Sequence, residues 1–359
     1  MRKRIMAMCL VTAMMATVFT GCGGSSTKET TEAKTETTVE NGTGDVSAIS
    51  KICTITDTGG INDQSFNQSV WEGLQQVGTE TGIDVSYLES KQSSEFTTNM
   101  DKMIDSGNQL IWGNGYTVAD ATLSTAEMNP DVTFGVIDFA FDDVPANVFG
   151  VVFRAQESSF LAGYVAGRTT KTDHVGFVGG QKSLTIDAFE WGYKAGVAYA
   201  AKELGKEIKV DAQYAETFAD AAKGKAIANK LYNSGADIIF TAAGGTGLGV
   251  IEAAKEADKW VIGVDRDQAY LAPKNVLTSA MKNVNIAVID LSKKMIAGEV
   301  IGGQNYEYGL ADGSVGLAPG HENIDDKVYE DTMKVQEELK AGNIQVPANE
   351  EEFNTLSQK

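Results

Sequence analysis

From Ile52 to Ile296 short apolar runs alternate with longer amphipathic ones, which restricts the chain to α/β architectures. The first series reads Ile52–Ile55, helical Phe66–Val77, Val85–Leu88, helical Phe96–Ile104, Leu110–Trp112, helical Ala119–Met128 and Val132–Ile137. A second begins at Val175–Val178 and continues with helical Ala188–Leu204, Ile208–Val210, helical Ala219–Tyr232, Asp237–Phe240, helical Gly249–Ala257 and Val261–Val264. Val276–Ser279 and Ala287–Ile296 add another strand and another helix. The strands lack period-two alternation, as expected when helices cover both faces of a parallel sheet. Two series predict two sheets, and no short fixed repeat points to a solenoid.

The ends constrain location. Arg2, Lys3 and Arg4 precede an apolar run, Ile5 to Phe19, which leads into Thr20-Gly21-Cys22. The run is shorter than the roughly 20 residues of a bilayer-spanning helix and suits a signal segment. Small residues before Cys22 fit a lipoprotein cleavage site, which makes 1–21 a signal peptide and Cys22 the lipidated residue. An ordinary secretory signal or a single-span anchor are the alternatives. Residues 22–49, rich in Ser, Thr, Glu and Gly, bury too little to order themselves and read as a disordered tether. No second segment is long and apolar enough to cross a bilayer as a helix.

The remainder exceeds the usual size of one core, which predicts two lobes. A net charge of −19, more negative still once the basic leader is lost, argues against nucleic acid as a partner. Cys9 falls in the leader and Cys22 at the anchor, so Cys53 has no disulfide partner and reads as core.

In parallel sheets ligands sit beyond the carboxyl ends of the strands. There the sequence gathers Asp57-Thr58-Gly59-Gly60, Gly113-Asn114-Gly115, Asp138-Phe139, Gly179-Gly180, Ala243–Gly247 and Asp265–Gln268. Phe66 and Phe218 each follow a Ser or Thr in a capping-box pattern, which makes each the first residue of a helix at the cleft. Such rings sandwich a flat ligand by offset stacking, or else each joins its helix's apolar stripe. Val70, Leu74 and Val77 continue such a stripe after Phe66, and nothing comparable follows Phe218. Asp138 and Asp265 suit a sugar diol, since a carboxylate accepts from two hydroxyls, and Lys282 supplies a donor or charge partner. Loop caps and a surface lysine are the alternatives.

Other chemistries find no motif. Gly245-Thr246-Gly247-Leu248-Gly249 lacks dinucleotide or P-loop spacing, and the two histidines form no metal motif. A Gly-x-Ser-x-Gly elbow is absent. The expectation is therefore no cofactor, no metal and no enzyme activity.

Several of these stretches resemble the basic membrane protein family of lipoproteins, the purine nucleoside receptor-like substrate-binding proteins of ABC importers. The resemblance lies in Thr56–Gln68, Phe153–Gly163, Val175–Gly180, Ala242–Gly247 and Gly263–Gln268. It implies a two-lobed type I periplasmic-binding-protein-like fold with a nucleoside between the lobes. Residues 50–153 plus about 277–305 would form lobe 1, and 154–276 plus about 306–359 lobe 2. It further implies that Phe66 and Phe218 stack the base while Asp57 and Thr58 read its edge. Asp138, Asp265 and Lys282 would hold the ribose, with backbone at Gly244 and Thr246 lining the site. Thr58 stands where the family pattern has Asn. The partners implied are an ABC permease and ATPase and, through the anchor, the extracytoplasmic membrane face, with the protein a monomer. A sensory receptor or sugar binder of the same fold is the alternative, and a nucleoside-acting enzyme a more distant one.

Overall fold

The computed structural model describes residues 49–357. The expected signal peptide, Cys22 and residues 22–48 of the tether lie outside that range. Ile49, the last tether residue, packs against the first core.

The chain lays down β1 (Lys51–Ile55), α1 (Phe66–Thr81), β2 (Asp84–Leu88), α2 (Phe96–Asp105), β3 (Leu110–Gly113), α3 (Ala119–Met128), β4 (Thr133–Ile137) and β5 (Val148–Phe153). It crosses to a second series: α4 (Ala155–Thr169), β6 (His174–Gly179), α5 (Leu184–Leu204), β7 (Lys209–Tyr214), α6 (Ala221–Asn233), β8 (Ile238–Ala242), α7 (Gly247–Ala257), β9 (Trp260–Asp265) and β10 (Val276–Lys282). Then α8 (Val284–Ile296) and β11 (Gln304–Tyr308) return to the first lobe, and β12 (Val315–Leu317), α9 (Asp326–Lys340) and α10 (Glu350–Ser357) follow. The sheets run β11-β5-β4-β3-β1-β2 and β12-β10-β9-β8-β6-β7, each six-stranded. Every pairing is parallel except that of β12 with β10. The expected two-lobed α/β class is what the chain adopts.

Burial on both faces explains the unbroken apolar strands. Ile52 and Trp112 face a core shared with Val70, Leu74 and Val77 of α1 and Val288 and Leu291 of α8. Cys53, Ile55, Ile111 and Phe134 face the other side, against Phe96 and Met100 of α2. Each such side chain contributes about 1.5–3 kcal/mol by leaving water. The second sheet repeats the arrangement, with Phe177 and Phe240 on one face and Ile239 and Val261 on the other.

Six elements were not read from the sequence, among them the largely polar helices α9 and α10. Val148–Phe153 and α4 adjoin at Arg154, where a short apolar run cannot be told from buried helix. β11 is a polar edge strand, and β12 is three residues long.

The lobe crossings shift accordingly. The expected switch near 277 falls instead after Lys282, because β10 stays paired with β9 through Met281 and with β12 through Lys282. The return expected near 306 follows Tyr308, which still pairs with Phe153. The three crossings run side by side. Arg154 N donates to Tyr308 O at 2.8 Å, and Asn283 N donates to Ser314 O at 2.7 Å.

The two predicted caps are also replaced. Ser65 occupies the N-cap position of α1, but its side chain caps nothing. Asp63 does so, accepting from Ser65 N, Asn67 N and Gln68 N at 2.9, 2.8 and 3.1 Å. A carboxylate there also opposes the positive end of the helix dipole. Asp220, rather than Thr217, caps α6, accepting from Lys223 N at 2.9 Å. Phe66 is therefore the first residue of its helix, as expected, whereas Phe218 lies in the loop before α6.

Candidate functional site

A cleft between the lobes opens at the carboxyl ends of both sheets. It holds about 530 Å³ of atom-free space, part of it open to solvent. Asp57, Phe66, Asp138, Phe218, Gly244, Asp265 and Lys282 line it together. Thr58 and Thr246 are not among the lining residues. Those that sequence reasoning missed include Asp63, Asn67, Tyr116, Thr185, Ile186 and Phe189.

The first-lobe side is a hydrogen-bonded scaffold. Thr54 Oγ1 donates to Asn114 Oδ1 at 2.6 Å, and Asn114 Nδ2 donates to Asn67 Oδ1 at 2.9 Å. Asn67 Nδ2 donates in turn to Asp57 Oδ1 at 2.8 Å and to Asp63 Oδ2 at 3.2 Å. Asp57 Oδ1 also accepts from Gly59 N at 2.8 Å, and Oδ2 lies on the side of Gly115. Burial raises the Asp57 carboxyl above its ordinary range, against the bonds from Asn67 and Gly59, with the charge of Asp138 adding to the rise. Asp63 is pushed up to about 7 by burial, although three backbone N–H groups favour its charged form.

Asp138 follows β4 and Asp265 ends β9, the corresponding strand of the second sheet. Both adopt left-handed backbone, φ 63° and 65°, a region that non-glycine residues seldom enter. Aspartate tolerates it better than most, and such conformations collect at functional sites. Between the two carboxylates lies Lys282, 2% exposed. Its ammonium is 2.6 Å from Asp138 Oδ2 and 3.8 Å from Asp265 Oδ1. It also stands 4.6 Å from the Phe66 ring centroid and 5.6 Å from that of Phe189. A buried cation needs such partners. Burial raises Asp265, while Lys282 and the Ser65 hydroxyl, which donates across the cleft to Oδ2, oppose the rise. Asp138 Oδ1 is buried with no hydrogen-bond partner among the described residues. An oxygen so placed is an acceptor waiting for a donor.

Around Asp265 and Lys282 the second-lobe side is largely apolar, lined by Phe218, Phe189, Ile186, Ala242, Gly244 and Val264. Phe66 serves both of the roles open to it: it joins the core stripe of Val70, Leu74 and Val77 and also faces the cleft. The two phenylalanines are not topological equivalents. Phe66 opens the helix after β1, whose counterpart after β6 is α5. Comparing the two series at that point would have drawn attention to Thr185 and Ile186.

A clasp also spans the cleft. Gln64 O accepts from Gln268 Nε2 at 2.9 Å, Tyr270 OH donates to Gln64 Oε1, and Arg266 pairs with Glu72 at 3.0 Å.

Two parallel α/β lobes with three crossings and a cleft at the strand ends define a type I periplasmic-binding-protein-like fold. Over residues 50–350 the chain matches the family described as ABC transporter substrate-binding protein PnrA-like, and it belongs to that family. It is 39% identical to the CD4+ T-cell-stimulating antigen of Listeria innocua, over 97% of this chain and 99% of that protein. It is 38% identical to the ABC transporter nucleoside-binding protein BmpA of Lactococcus lactis, over 97% of this chain and all (100%) of that one. Basic membrane protein A of Borreliella burgdorferi is 38% identical, over 86% of this chain and 90% of its own length. In fold, an ABC transporter solute-binding protein from Aeropyrum pernix superposes with a TM-score of 0.78 at 23% identity, covering 86% of this chain and 96% of that one. The resemblance drawn from the motifs and the fold class it implied are thus both borne out.

Proposed function

We propose that this chain is the lipid-anchored receptor of an ABC importer, taking up a nucleoside of the purine type and presenting it to a permease and its ATPase. The observation that carries the reading is the Asp138–Lys282–Asp265 group in a cleft also lined by aromatic rings, with Asp138 Oδ1 unpartnered among the described residues. A ribose diol supplies the hydroxyl donors that this acceptor lacks. Phe66 and Phe218, both on the lining, would stack a flat base, and Asp57 accepts from ring or exocyclic N–H groups. Gly244 lets the backbone approach the ligand. Thr58, off the lining, makes no direct contact in this reading. Asp57, Asp63, Asp138 and Asp265 against the single cation Lys282 disfavour phosphorylated ligands. A relative named as a nucleoside-binding protein supports the same class.

Cys22 would carry the anchor and residues 22–49 the tether, holding a monomeric body near its membrane partner on the extracytoplasmic face. No helix among the described residues is long and apolar enough to cross a membrane. A thermal-shift panel of purine and pyrimidine nucleosides, sugars and amino acids tests the ligand class. A bound nucleoside raises stability by about 2.7 kcal/mol at a hundredfold excess over Kd. A clear shift with another class and none with any nucleoside would sink the assignment.

A further inference from the structure

We propose that Thr246 and Gly180, neither of which lines the cleft, are positioning residues that set the Phe218 ring as its second-lobe wall. The inference rests on the proposed stacking role of Phe218. That residue has no helix to hold it, since α6 begins at Ala221, and it is flanked by exposed Ala219 and Asp220. A loop aromatic in that setting samples many rotamers unless something grips its backbone.

Thr246 grips it at three points. Its amide donates to Phe218 O at 3.0 Å, its hydroxyl donates to Thr217 O at 3.1 Å, and the same oxygen accepts from Asp220 N at 2.9 Å. Thr246 is fully buried, so these bonds compete with little water. Gly180 shapes the ring's seat. A Cβ there would fall 2.1 Å from Phe218 Cε1 and 2.4 Å from Cδ1, so any other residue displaces the ring. Gly180 has no positive φ, which leaves alanine backbone-compatible and the glycine explained by the ring alone. Thr246 thus acts through Phe218 rather than on the ligand.

Inosine titration of the intact protein and its variants tests this. Gly180→Ala and Thr246→Val should each weaken inosine binding about tenfold or more, the scale of one lost base stack, while Thr246→Ser, which keeps the hydroxyl, should bind as wild type. In a Phe218→Ala background Gly180→Ala should add nothing further, because the ring it displaces is gone. Full additivity there, or wild-type affinity in both Gly180→Ala and Thr246→Val, overturns the proposal. Hydrogen exchange over residues 215–221 of the ligand-free protein is a readout independent of ligand identity. Exchange should rise in Thr246→Val and not in Thr246→Ser. Unchanged exchange removes the clamp, whereas raised exchange in a protein that binds no nucleoside keeps the clamp and removes the nucleoside reading.

Discussion

The two sides of the cleft are built on opposite plans. The first lobe offers carboxylates locked by a buried relay from Thr54 through Asn114 and Asn67, each polar group oriented by the next. The second surrounds Asp265 and Lys282 with apolar surface, shaped by small residues and an aromatic ring in a loop. Polar direction is fixed by the side whose hydrogen bonds are preassembled. Contact area comes from the side whose glycines permit close approach. Lys282, at the end of β10, joins the two, bonding Asp138 of the first lobe while lying near Asp265 of its own.

Breaking that junction should cost most. Lys282→Met strands two buried carboxylates and should lower stability by about 3–5 kcal/mol in urea unfolding. An unchanged midpoint would mean that the lobes do not depend on the charge. Removing the first-lobe acceptor comes next. Asp138→Asn should weaken a ribonucleoside by about 1.5–3 kcal/mol, and a 2′,3′-dideoxynucleoside hardly at all, in calorimetric titration. On the opposite side, Phe218→Ala should lose about 1–3 kcal/mol of nucleoside affinity and leave the ligand-free melting temperature in place.

Acid should separate stability from binding. Asp63 is raised from 3.8 to about 7, so the folded state binds its proton more tightly than the unfolded chain does. The penalty for its charged form is absent below the unfolded value and complete above the folded one, so stability falls as pH rises through that window. Relative to Asp63→Asn, the ligand-free wild type should gain stability as pH drops from about 7 toward the ordinary carboxylate range, read by urea midpoints. Binding should move the other way, because N–H and O–H donors need Asp57 and Asp265, also raised by burial, in their charged forms. The smallest effect belongs to the clasp. Arg266 and Glu72 are partly exposed, and Arg266→Ala should change affinity by less than about 1 kcal/mol.

Much of this was legible because parallel sheets leave a strong imprint on sequence. Helix α3 runs from Ala119 to Met128 as its pattern predicts, and carboxylates and glycines at strand ends converge on one cleft. What failed was local competition. Ser65 and Thr217 fit a capping pattern, but Asp63 and Asp220 stood close enough to take the helix amides instead. That freed the Ser65 hydroxyl to cross the cleft and left Thr217 Oγ1 accepting from Ala219 N at 3.2 Å. Such contests between neighbouring side chains depend on what else reaches them, as Thr246 reaches the Phe218 loop. The partnership of β5 with β11 was equally hidden, since only burial of the second strand's neighbour makes a polar segment into an edge.

The crossings also set an order of assembly. The face of the first sheet that carries Ile52, Trp112 and Phe149 is covered in part by Val284, Val288 and Leu291, and β5 gains its outer neighbour only with β11. Those residues follow the whole run from α4 to β10 in the chain. A nascent chain therefore leaves part of that apolar face uncovered until residues 284–308 have been made, and its contacts span large sequence separations. Both features slow folding. The topology that threads the chain three times between two lobes also keeps the first of them unfinished until most of the second has been made.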